Sequence, residues 1–195
     1  MHPPVMFELS LMGAVPQAGV QRVMDGLERS CGPGKDWQML ESTMKLDKAP
    51  DAKVRWVVDR TTVEMAQLGP PLRATSRQDG SGVRPALEQV LSRQVVRVPE
   101  APAEHIKTLL QAGYQKKFAL FHRGKQFVWG KAVVSVSQVF VPSATNEADL
   151  TRRQLTQDWC VSVVIHCAAA SEAEEAAAQL VAIQSTLRDR VALFK

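Results

Sequence analysis

The sequence has few cysteines and no long apolar run, and these two features exclude disulfide-stabilised proteins and proteins with membrane-spanning helices. Its three cysteines, Cys31, Cys160 and Cys167, are too few, and an odd number, for a disulfide framework. No apolar run approaches the roughly 20 residues that a helix needs to cross a bilayer. The first four residues, MHPP, lack the basic and apolar regions of a signal peptide. We therefore expect a protein that stays inside the cell and does not enter a membrane.

Motifs that carry chemistry are also scarce. The glycine-rich residues 32–34 and 80–82 lack the Lys and Ser/Thr of a phosphate-binding loop. The four histidines have no nucleophile-elbow or cysteine-protease context. Cys160, His166 and Cys167 form a candidate zinc cluster, but strand alternation puts Cys167 on the opposite face from the other two. Cys160 and His166 are also roughly 20 Å apart along a strand, too far to share one tetrahedral ion. We expect no catalytic residue, metal or cofactor.

The composition is that of an ordinary globular protein. The chain has 195 residues, of which 45% are hydrophobic and 23% charged. This length predicts one domain spanning residues 1–195, large enough to bury a core without disulfides or metals.

The net charge of +4 is unevenly distributed. Residues 53–131 carry 14 basic and 6 acidic side chains, whereas residues 132–187 carry 2 and 6. A basic region of this kind attracts nucleic acid or an acidic protein. A solvated surface with unmatched lysines and arginines has the same composition, so both interpretations stay open.

Hydrophobic periodicity predicts an α+β protein that is mainly antiparallel β. The predicted strands are residues 5–13, 37–46, 54–65, 95–98, 114–122, 126–141 and 155–168. The predicted helices are residues 16–31, a short segment between Pro102 and Gly113, and residues 172–193, and polar loops are predicted at 73–85 and 142–153.

The strongest local signal is a predicted hairpin with Arg123, Gly124 and Lys125 at its turn. Its second strand would be about 16 residues, or roughly 50 Å, and would have to bend at Gly130 around a barrel. The even positions of that strand form an apolar face: Val128, Ala132, Val134, Val136 and Phe140. We therefore predict a closed or nearly closed β-barrel with flanking helices on its outside.

Phe127 and Trp129 lie on the face opposite those even positions, where they are exposed unless something covers them. Either the terminal helix or a partner protein covers them, and we take both as candidate partner-binding residues. Aromatic and basic side chains also alternate across this region, a pattern that single-stranded nucleic-acid binders use. The residues are Lys116, Lys117, Phe118, Phe121, Arg123, Lys125, Phe127 and Trp129. The alternative interpretation is that the aromatic rings point into the core and the basic groups face water.

Several segments, in order and spacing, resemble subunit 18 of the Mediator head module over nearly the whole chain. They are FELSLMGAV (7–15) followed by the helix to Cys31, LGPP (68–71), LLQAGY (109–114) and VFVP (139–142). The resemblance implies a barrel similar to the triphosphate tunnel enzymes and a nuclear, non-enzymatic role as a scaffold or adapter. In that role the subunit couples regulators to RNA polymerase II transcription as part of a coactivator. The resemblance also implies pairing with the barrel of Mediator subunit 20 and attachment through a helix of Mediator subunit 8.

The same barrel architecture raises an alternative function, a triphosphate tunnel phosphohydrolase similar to RNA triphosphatases. Such enzymes bind a divalent cation and triphosphate through a Glu-x-Glu pair on an early strand. The first predicted strand has Glu8, but Met6 and Ser10 occupy the positions two residues away. The apolar even face of the long strand would bind no ion. We therefore predict a binding scaffold and no enzyme.

Overall fold

The structure, a computed structural model, describes residues 5–47, 51–57, 63–68, 90–98, 102–142 and 153–188. Within these residues the chain forms nine strands and three α-helices. The strands are β1 (Val5–Val15), β2 (Lys35–Lys45), β3 (Asp51–Val57), β4 (Val63–Leu68), β5 (Leu91–Val98), β6 (Gln115–Trp129), β7 (Ala132–Val141), β8 (Arg153–Gln154) and β9 (Trp159–Cys167). The helices are α1 (Val20–Cys31), α2 (Pro102–Gln111) and α3 (Ala173–Arg188). None of these helices has the length and apolarity to cross a membrane.

Eight of the strands form a ring of antiparallel pairs. The order is β6-β2-β3-β4-β5-β1-β9-β7, and β7 pairs back with β6. The short strand β8 adds to the end of β7. The prediction of a mainly antiparallel, closed or nearly closed barrel with flanking helices is confirmed.

The hairpin predicted at residues 123–125 is wrong, because β6 runs through them without a break. The turn comes at Gly130 and Lys131, and it pairs Trp129 with Ala132. Gly130 has a φ of +61°, which glycine adopts at little cost. Gly124 is needed for another reason: a Cβ there would lie 1.9 Å from the carbonyl oxygen of Val136 on β7. This glycine lets two strands approach each other, and the predicted long strand is in fact two strands.

The main core lies between the outer face of the barrel and the helices α1 and α3. The predicted apolar stripe of α1 is confirmed, with Val20, Val23 and Leu27 buried. On α3, the buried residues are Leu180, Ile183 and Leu187, as predicted. Val191 and Phe194, predicted on the same stripe, lie outside the described residues, as do most of the loops predicted at 73–85 and 142–153.

Phe127 was predicted to be exposed unless the terminal helix or a partner protein covers it, and in the structure it is covered. It is 1% exposed, and its ring lies so close to Gly34 that a Cβ there would be 2.6 Å away. Trp129 is half-buried against the same core, and Gln179 of α3 donates a hydrogen bond to its carbonyl oxygen at 3.2 Å. The terminal helix therefore covers this region, which was one of the two alternatives.

The predicted apolar face of residues 128–140 is correct only for three residues of β7. Ala132, Val134 and Val136 are buried, but Val128 is 66% exposed and Phe140 is half-buried. The reason is the register of the hairpin, in which Phe127 pairs with Val134. Paired residues share a face of a sheet, so odd positions on β6 lie beside even positions on β7.

Other boundaries of the strands also differ from the prediction. The strand predicted at 54–65 is two strands, β3 and β4, and the one predicted at 155–168 is β9. Gly113, with a φ of +92°, ends α2 as predicted. The buried Leu109 of α2 packs with Met44 and Val54 in a second, smaller core.

Candidate functional site

Charged side chains meet inside the ring of strands. The guanidinium of Arg55, on β3, pairs with the carboxylate of Glu8, on β1. Two other strands, β4 and β5, separate β3 from β1 around the ring, so these side chains must meet across its interior. We call the group the interior ion-pair cluster, and its members are Glu8, Glu41, Lys53, Arg55 and His166.

Strand alternation aims these residues inward. On β1, Leu9 and Leu11 belong to the outer core, which leaves Glu8 on the opposite, interior face. The register of β1 with β9 places His166 opposite Glu8, and His166 Nε2 lies 3.4 Å from Glu8 Oε2.

The second carboxylate comes from β2. Glu41 pairs in register with Arg55 on β3, and Arg55 Nε donates to Glu41 Oε2 at 3.1 Å. Lys53, on the same face of β3, pairs through Nζ with Glu41 Oε1. Arg55 therefore contacts both carboxylates at once, and each carboxylate also has a second basic neighbour.

The cluster is buried and electrically balanced. The side chains of Glu8 and Glu41 are 1% and 7% exposed, and those of Arg55 and Lys53 are 13% and 20% exposed. Two carboxylates face two permanent cations. Buried charges are tolerated only when they are paired, and here the pairing is internal.

Both carboxylates are ionised at neutral pH. Burial alone raises the pKa of Glu8, but His166 and the guanidinium of Arg55 outweigh it and lower that pKa from 4.5 to about 2. Burial also raises the pKa of Glu41, and the charges of Arg55 and Lys53 outweigh it, so the pKa again falls below 4.5. The same two carboxylates raise the pKa of Arg55 against the effect of its burial.

Two further side chains border the cluster without gaining reactivity. Burial lowers the pKa of His122, on β6, more than the charge of Glu41 raises it, so its imidazole is neutral at pH 7. Burial and the charge of Glu41 raise the pKa of the Cys160 thiol. A protonated thiol is a poor nucleophile and metal ligand. Cys167 lies in the outer core, and among the described residues no three His, Cys, Asp or Glu side chains are placed to hold a metal ion.

The sequence singled out Glu8 but missed Glu41, Lys53 and Arg55. Glu41 alternates with the apolar Leu40, and this alternation alone does not show that its face of the strand is enclosed. The interior face of β7 was also misassigned. Its buried interior residues are Ser135, Ser137 and Val139, because Val134 and Val136 point to the outer core.

Phe127 and Trp129, the predicted partner-binding residues, lie in or against the outer core and take no part in the cluster. The arrangement in the barrel interior is therefore an ion-pair clamp across β1, β2, β3 and β9. No carboxylate of the cluster lacks a cation, so the described interior offers neither a free carboxylate pair for a divalent cation nor free cations for a triphosphate.

Sequence comparison relates the chain to one family. A sequence model described as Med18 protein matches residues 43–195. Comparison with curated proteins gives no match.

Solved structures share the barrel. A chain of the Schizosaccharomyces pombe Mediator head module superposes with a TM-score of 0.72 at 16% identity, covering 96% of this chain and 97% of that one. A putative adenylate cyclase from Vibrio parahaemolyticus gives 0.54 at 9% identity, covering 93% and 88%. The Mimivirus capping enzyme triphosphatase gives 0.50 at 9% identity, covering 95% and 90%. At such identities the likeness shows the fold alone, and it confirms the triphosphate-tunnel-like architecture.

The family match covers most of the chain, and it begins after Glu8 and Glu41 of the interior cluster. The order of strands and helices around the barrel agrees with a chain of the Mediator head module over nearly its full length. The protein therefore belongs to the Med18 protein family and is a Mediator subunit that functions in transcription.

Proposed function

We propose that this subunit is a non-enzymatic scaffold of the Mediator head module. In this role it pairs with the barrel of Mediator subunit 20, is held by a helix of Mediator subunit 8, and links regulators to RNA polymerase II in the nucleus. Family membership supports a role within Mediator. The finer role rests on the chemistry of the barrel interior.

The observation that carries the proposal is the double contact of Arg55 with Glu8 and Glu41. A tunnel phosphohydrolase keeps its interior charges available for substrate and metal. Here the basic and acidic groups neutralise one another, so a triphosphate would have to displace existing ion pairs at a large desolvation cost. A barrel whose interior charges are paired with one another in this way acts through its outer surface.

The outer surface also bears on the predicted partner contact. Phe127 cannot leave the core without opening a large cavity. It therefore cannot contact a partner itself and can only pack beneath surface residues that do. Trp129 is half-buried, and its neighbour Val128 is 66% exposed at the same hairpin. We keep Trp129 as a proposed partner contact at this hairpin.

Direct nucleic-acid binding is not expected. Two of the aromatic residues in the basic-aromatic pattern, Phe121 and Phe127, are 3% and 1% exposed and cannot stack on bases. Filter binding of single-stranded RNA at two salt concentrations checks this. Micromolar binding that weakens steeply with salt would contradict the expectation.

A phosphate-release assay tests the non-enzymatic role. The purified protein is incubated with nucleoside triphosphates and RNA 5′-triphosphates in the presence of magnesium or manganese. We expect no release above the blank. Metal-dependent release that the Glu8→Gln variant abolishes would overturn the scaffold role, because it would assign catalysis to the barrel interior.

A further inference from the structure

We draw no further inference here: the strongest candidate, the group of buried polar atoms without hydrogen-bond partners that faces the barrel interior at Glu8, Trp37 and His122, belongs to the site already described and, in the described part of the chain, leaves no surface beside those atoms that a ligand could reach.

Discussion

Replacing Arg55 by methionine removes the group that contacts both buried carboxylates and keeps most of the side-chain volume. Breaking a buried ion pair by removing one partner costs about 3–5 kcal/mol, because a charge is left without compensation. The pKa of Glu8 gives an independent figure. Its fall from 4.5 to about 2, to which His166 and Arg55 both contribute, corresponds to about 3 kcal/mol of stabilisation at neutral pH, which is an upper limit for the share of Arg55 in that shift. We therefore expect the Arg55→Met variant to lose about 3–5 kcal/mol of unfolding free energy at pH 7.

The loss should depend on pH with a definite sign. In the wild type, the folded-state pKa of Glu8 is depressed, so its contribution is fully present above pH 4.5 and disappears as the pH falls towards 2. In the variant, loss of the guanidinium raises the pKa of Glu8 and of Glu41 above their wild-type values, so protonating them as the pH falls costs the folded variant less than the folded wild type. The difference in stability between wild type and variant should therefore be largest at pH 7 and shrink towards about pH 4.5.

Urea denaturation of both proteins across this pH range measures the effect. Lys131→Met is the matched control, because Lys131 pairs with Glu175 at 3.3 Å while both side chains are about 70% exposed. Such a surface pair contributes less than about 1 kcal/mol. A loss for Arg55→Met no larger than that of the control, or one that stays constant with pH, would refute the account of the interior.

Two further substitutions test the fold itself by thermal melting. Gly124→Ala should destabilise the protein strongly, because the new Cβ would lie 1.9 Å from a backbone oxygen of β7. Gly19→Ala is the control that should be tolerated, because its Cβ would lie 3.4 Å from the Val15 side chain. Equal melting temperatures of the two variants would contradict the close approach of β6 and β7. Leu187→Asp should cost several kcal/mol, because Leu187 is 3% exposed in the outer core. If Leu187→Asp instead leaves the melting temperature unchanged and abolishes the binding of a partner subunit, α3 is a ligand of that subunit and does not stabilise the barrel.

The amphipathic helices were predictable from sequence because their information is local. The stripe of Val20, Val23 and Leu27 has helical spacing, and the glycine-rich residues 32–34 end the helix. The hairpin was not predictable in this way. Arg-Gly-Lys at 123–125 has the composition of a turn, but Gly124 is required by the approach of a neighbouring strand, which depends on tertiary structure.

The interior cluster shows a second limit of sequence patterns. Alternation indicates which residues share a face of a strand, but not whether that face meets water or the inside of a closed ring. Glu41 and Arg55 therefore looked like ordinary surface charges. Their burial depends on the ring closing, which brings Arg55 to Glu8, 47 residues away in sequence. Of the interior cluster, the sequence pattern identified only Glu8, as the position where the strand departs from the Glu-x-Glu pattern.

Co-expression with the homologues of Mediator subunits 20 and 8, followed by size-exclusion chromatography, tests the scaffold function most directly. A stable assembly buries more than roughly 1,000 Å² and survives dilution to micromolar concentration. The account predicts that the three proteins elute together as one complex. Consistently separate elution of this subunit at micromolar concentration would contradict it.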